Sequence, residues 1–292
     1  MEVTEAILLS QLKGLGHQRT QAGAVATLLL LLPRTDPDLG PVIAPYVGQL
    51  AALLADGAPD DASVQTNAAA VLGAVASLTD ELHAAVDEAA AGTFERLLRS
   101  CGEASTSGGE GEGGGDGLAI NVLSSVAQLA REQGRTLAAV SSQQGLSAMV
   151  ACCARPTLAE SALDALCAIA SHDAHRPALR AAGAVPAAAA AVAAGGEPDA
   201  MVRALMLLGM LTSSSPEARG QLVEAAEGRG VVRLFGLARQ TEDEDCKVIA
   251  RDLLGLLTRD PETRAGVESA VRRAADAAAA AAAGGAPVGA AA

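Results

Sequence analysis

Few residues in this chain have types and spacings that could do chemistry. His172 and His175 bracket Asp173 in the segment SHDAH, a spacing at which two imidazoles could share a metal. No cysteine and no second carboxylate pair lies near them in sequence, and Ser171 and Asp173 are ordinary helix-start residues, so the segment reads as a capping turn between helices. Glu242, Asp243, Glu244 and Asp245 form an acidic run before a helix that starts near Cys246. Being adjacent, these acids do not face each other across a cleft as an acid–base pair must; they complement the positive end of the helix, or offer a basic partner a docking patch. Met201, Met206 and Met210 share one helix, where methionine serves either as core filler or as an adaptable binding surface.

Five cysteines, Cys101, Cys152, Cys153, Cys167 and Cys246, form no CxxC pair and no Cys/His cluster with zinc spacing. They read as reduced, buried thiols, which implies the cytoplasm or the nucleus. The chain has no phosphate-binding glycine motif, no nucleophile elbow and no HExxH. The expectation is therefore a protein that is not an enzyme and uses no cofactor and no metal.

The elements that would position these residues are helices. Half of the residues are hydrophobic but only 1% are aromatic, with no Trp, one Tyr and two Phe. A core of Ala, Leu and Val favours helix over strand. Alanine buries little area per contact, so stability must come from many shallow contacts along the chain. The net charge of -13 opposes attraction to phosphate backbones and anionic lipid, so neither nucleic acid nor a membrane is an expected partner. The run Ala22 to Leu32 is too short to span a bilayer, which needs about 20 residues, and the segment MEVTEAILLSQLKGLGH lacks the basic start of a targeting signal.

One apolar triad spaced by three recurs along the chain. It appears as Ala26/Leu29/Leu32, Leu72/Val75/Leu78, Leu123/Val126/Leu129, Leu163/Leu166/Ile169, Leu205/Leu208/Leu211 and Ala250/Leu253/Leu256, with last members 40 to 51 residues apart. A glycine follows each of the first five, at Gly48, Gly92, Gly145, Gly183 and Gly230, where a sharp bend between two helices is expected. Such a period marks a repeat array in which each unit hides its apolar face against the next. The longest interval holds GEASTSGGEGEGGGDG, residues 102–117, which is expected to be a flexible surface insertion. The organisation expected is one array over 1–270, followed over 271–292 by an Ala-rich capping helix end and a low-complexity tail.

The segment ESALDALCAIA, residues 160–170, followed by HRPALRAAGAVPAA, resembles an armadillo repeat; Arg176, Leu179, Gly183, Val185 and Pro186 fall on the family's pattern. RALMLLGMLTSSSPEARGQLVEA repeats the signature with Pro216, Arg219 and Leu222. The resemblance, to armadillo and HEAT-like repeats in general, covers about residues 18–270. It implies an all-α fold, a right-handed α-solenoid of about five to six repeats, with a concave surface lined by the third helix of each.

Armadillo proteins that hold extended peptides carry a ladder of Trp and Asn on those helices. Here the Trp positions hold Thr27, Gly73, Ser124, Asp164, Met206 and Arg251, and the Asn positions hold Leu31, Ser77, Gln128, Ala168, Met210 and Gly255. The ladder is absent, so a receptor for nuclear-localisation signals is not expected. The resemblance implies instead a scaffold or adaptor, acting as a monomeric array, that binds a protein partner through Thr27, Gly73, Ser77, Ser124, Gln128, Asp164, Met206, Met210 and Arg251. Two alternatives share the fold: an armadillo-type co-chaperone that promotes nucleotide exchange on a cytosolic heat-shock chaperone, and a structural subunit of a cytoskeletal or ciliary assembly.

Overall fold

Residues 4–56, 62–106, 114–241 and 243–284 are described by the structure, a computed structural model. Every regular element among them is helical. In chain order these are α1 (Glu5–Gly14), α2 (Gln21–Leu31), α3 (Gly40–Ile43), α4 (Val47–Asp56), α5 (Ala62–Ala76), α6 (Asp80–Thr106), α7 (Gly114–Leu129), α8 (Arg135–Val140), α9 (Gln143–Cys152), α10 (Pro156–Ala170) and α11 (Arg176–Ala181). They continue with α12 (Ala184–Ala194), α13 (Pro198–Thr212), α14 (Pro216–Glu224), α15 (Arg229–Gln240), α16 (Glu244–Arg259) and α17 (Pro261–Gly284). The chain divides into two compact units, Met1–Ala182 and Gly183–Ala292.

In the first unit α2, α5, α7 and α10 pack one against the next in a row, and α4, α6 and α9 form a second row. The triads set the first row. Leu72, Leu123, Val126, Leu129, Leu163, Leu166 and Ile169 are all fully buried, as residues spaced by three on one helix face must be when each helix is covered by its neighbours. In the second unit α13 packs on α16, while α12, α15 and α17 form the other row. Leu205, Leu208, Leu211 and Ala250 are fully buried there.

A recurring latch closes three of the long helices. Arg176 Nε donates to the Ala170 carbonyl at 2.8 Å, Arg219 Nη1 to the Thr212 carbonyl at 3.2 Å, and Arg264 Nε to the Thr258 carbonyl at 2.8 Å. Each guanidinium comes from the helix that follows and satisfies a carbonyl at the C-terminal end, where no intrahelical donor remains and the helix dipole favours a cation.

Several expectations need correction. Helix α1 lies in the stretch read only for targeting signals. The first triad is out of register: Ala26 is exposed and Leu29 half-buried, whereas Val25 and Leu28 are buried. The run AVATLLLLL has too few polar residues to mark which face is inward. Of the five glycines expected at bends, Gly183 has the left-handed φ of 89°. Near Gly230 that conformation belongs to Gly228, at φ 82°, while Gly48, Gly92 and Gly145 lie inside α4, α6 and α9.

Helix α6 runs straight through Gly92 because its buried stripe, Leu82, Val86, Ala90, Phe94 and Leu98, repeats every four residues without a break. A glycine inside a helix costs only about 1 kcal/mol against alanine, less than that stripe gains. Both ends of the expected loop over 102–117 are helical, since α6 reaches Thr106 and α7 starts at Gly114; residues 107–113 lie outside the described residues. The C-terminal helix continues unbroken from Pro261 to Gly284, and the tail beyond it is likewise outside them. The stretch Pro37–Asp56 is long and apolar enough to cross a membrane by length and composition. It is broken into short helical pieces at Pro41 and Pro45, and Ile43, Val47, Leu50 and Leu54 are buried, the pattern of a core element.

Candidate functional site

The histidine pair makes a structural contact. His172 Nε2 lies 2.9 Å from the Ala130 carbonyl, and its ring meets that of His175 edge to face at 6.2 Å. Among the described residues no group of three His, Cys, Asp or Glu side chains could hold a metal. In the acidic run, Asp243 Oδ1 accepts from the Cys246 N–H at 3.0 Å, the N-cap of α16; Glu242 lies outside the described residues. None of the five cysteines is in a disulfide; Cys152, Cys153 and Cys246 are buried as expected, whereas Cys101 and Cys167 are half-buried. Burial pushes the Cys153 thiol up to about 12, with Cys152 and Cys167 nearby adding to the shift. Burial likewise pushes Cys101 and Cys246 up to about 11. None of these three is poised as a thiolate nucleophile.

The nine expected contact residues divide by environment. Thr27 is half-buried and its hydroxyl donates to the Gly23 carbonyl at 2.7 Å. With the register of α2 corrected, the matching outward positions are Ala26 and Leu30, and Leu30 is 74% exposed. Gly73 faces the neighbouring helix: a Cβ there would sit 2.5 Å from Ser125 Oγ, so its lack of a side chain permits the close crossing of α5 and α7. Ser77 is exposed, with its hydroxyl donating to the Gly73 carbonyl at 3.0 Å.

On α7 and α10, Ser124 Oγ donates to Ser161 Oγ at 3.4 Å, and Asp164 pairs with Arg131 at 3.8 Å. With half-buried Gln128 they make a shallow polar surface. Arg251 turns away from the methionines, since its Nε donates to the Ala238 carbonyl on α15 at 3.2 Å.

Met206 and Met210 are brought together. They form one wall of a groove of about 490 Å³ between α13 and α16. The opposite wall is Ile249, Leu253 and Leu256, none of which the sequence singled out for binding; Leu253 and Leu256 read only as core triad members. Met206 is 47% exposed. Asp252 and Arg259 also line the groove, seven residues apart on α16 and so separated by about 10.5 Å along its axis. An apolar trough with a carboxylate and a guanidinium at its edges can anchor a partner's apolar side chains and orient them by charge, and it offers no converging groups for bond-making chemistry.

No protein-family model matches the chain, and no curated protein sequence matches it. Solved structures do. One engineered protein is 22% identical, with a TM-score of 0.68 over 89% of this chain and 97% of its own. A second is 21% identical, with a TM-score of 0.70 over 87% and 99%. A third, described as computationally designed armadillo repeat proteins for modular peptide recognition, is 18% identical, with a TM-score of 0.67 over 85% and 99%. At these identities the likeness concerns the fold, and it shows an all-α, armadillo-like repeat solenoid.

Proposed function

We propose that the chain is a non-enzymatic protein-interaction scaffold that anchors a protein partner in the groove between α13 and α16. The observation that carries this reading is Met206, a large apolar side chain left 47% exposed beside a preformed apolar trough. Exposure alone does not set Met206 apart, since Leu30 is 74% exposed; its place in a concave apolar lining with a few polar groups at the edge does, because such concavities are where ligands bind. The solved neighbour designed for modular peptide recognition supports a peptide or protein as the class of ligand. Buried free thiols support a reducing compartment, the cytoplasm or nucleus, as the place where it acts.

Affinity purification with the full chain and with Met206→Glu tests the proposal. The expected result is a set of proteins recovered by the wild type and lost with the variant, while thermal unfolding of the two chains coincides. Identical recoveries from both would overturn it.

A further inference from the structure

The groove between α13 and α16 differs from a peptide groove in what it offers the ligand's backbone. An extended segment laid into it would bring most of its N–H and C=O groups against Met206, Met210, Ile249, Leu253 and Leu256. Of the polar lining, the Ser213 hydroxyl donates to the Met210 carbonyl at 3.1 Å and Asp252 and Arg259 stand at the edges, so no side-chain amide along the trough replaces the water those groups lose. Unpaired buried backbone groups are costly. A helix satisfies its backbone internally and presents only side chains. Methionine, being unbranched and flexible, adapts to such a surface. Docking of a helix by apolar residues at i, i+3, i+4 and i+7 is an established mode of recognition in grooves of this form.

The charges narrow the partner further. Among the described residues neither Asp252 nor Arg259 makes an ion pair or a side-chain hydrogen bond, although both line the groove. Their separation of two helical turns, about 10.5 Å, equals the rise between residues i and i+7 of a helix lying along α16. Building on the proposed function, we infer that the partner segment is an amphipathic α-helix whose apolar stripe fills the groove and whose flank carries an acid and a base seven residues apart, the acid meeting Arg259 and the base Asp252.

The test is selection against the purified full chain from two displayed peptide libraries of equal length. One consists of Ala-based helices randomised on a single face and flank; the other carries proline at every fourth position and is held extended. Enrichment is expected from the helical library, with an acid and a base seven residues apart, and binding of the selected helices should be lost with Met206→Glu. The double reversal Asp252→Lys/Arg259→Glu should weaken them roughly threefold to tenfold, the range expected of two exposed pairs, and exchanging the two charges on the peptide should restore binding. Enrichment from the extended library, enrichment from neither, or helices indifferent to the double reversal would overturn the inference. If the Met206-dependent protein recovery persists in any of those cases, the scaffold reading stands and only the helical partner is lost; if that recovery is absent, the scaffold reading fails on its own test.

Discussion

The carboxylate of Asp87, on α6, accepts the backbone N–H of Thr136 at 2.7 Å and that of Arg135 at 2.6 Å. It thereby caps the N-terminus of α8 from nearly fifty residues away. The local N-cap, Gly134, has no side chain to do so, and a Cβ there would meet Asp87 Oδ2 at 2.5 Å. The missing side chain of one residue makes room for the side chain of another, and this ties the second-row helix α6 to the start of the next repeat.

Asp87→Ala should therefore destabilise the first unit by about 1–3 kcal/mol, the cost of losing a cap and leaving two N–H groups without it. Urea unfolding of the variant measures it. Asp87→Asn, which keeps one acceptor oxygen, should fall between the variant and the wild type.

Gly73→Val should cost about 1–3 kcal/mol by forcing α5 and α7 apart at Ser125. A contact residue on an open surface would tolerate valine. Thermal unfolding separates the two: an unchanged melting temperature would return Gly73 to the binding surface.

The register of α2 is open to a paired substitution. Leu28→Ala should cost about 2–5 kcal/mol, as deletion from a packed core does, whereas Leu30→Ala should change stability by less than about 0.5 kcal/mol. Equilibrium unfolding of both variants checks the pair; the opposite order would put the first triad back where its spacing alone placed it.

The buried thiol of Cys153 gives a pH dependence with a definite sign. Its thiol is raised from 9.0 in the unfolded chain to about 12 in the folded one, so the folded state holds the proton longer. Its contribution is full below pH 9 and is lost as the pH rises from 9 toward 12. Cys153→Ala loses packing at every pH but has no thiol to ionise. The stability gap between wild type and variant, measured by urea unfolding, should stay constant up to pH 9 and shrink above it.

The repeat was legible because Leu72, Leu123, Leu163 and Leu205 recur on one helical face and each is fully buried. Helix α6 was less legible: its stripe from Leu82 to Leu98 is present in the sequence, but Gly92 carried the same signal as Gly183, and only packing distinguishes a glycine inside a helix from one at a bend. The site was legible in part. Met201, Met206 and Met210 were legible as one group, either core filler or binding surface, and only packing separates them: Met201 is buried and Met206 is 47% exposed. Arg251 and Gly73 occupy equivalent repeat positions, yet one reaches to the Ala238 carbonyl and the other presses on Ser125.

The sequence by itself determined the all-α class, the repeat and most of its core, because helical periodicity and the recurrence of Leu and Ala are properties of the chain taken in order. The tertiary structure decided which flanks of neighbouring helices meet. It set Ile249, Leu253 and Leu256 opposite the two methionines and Asp87 against Thr136, since those partners are separated by some forty to fifty residues and only the stacking of helices brings them within contact distance.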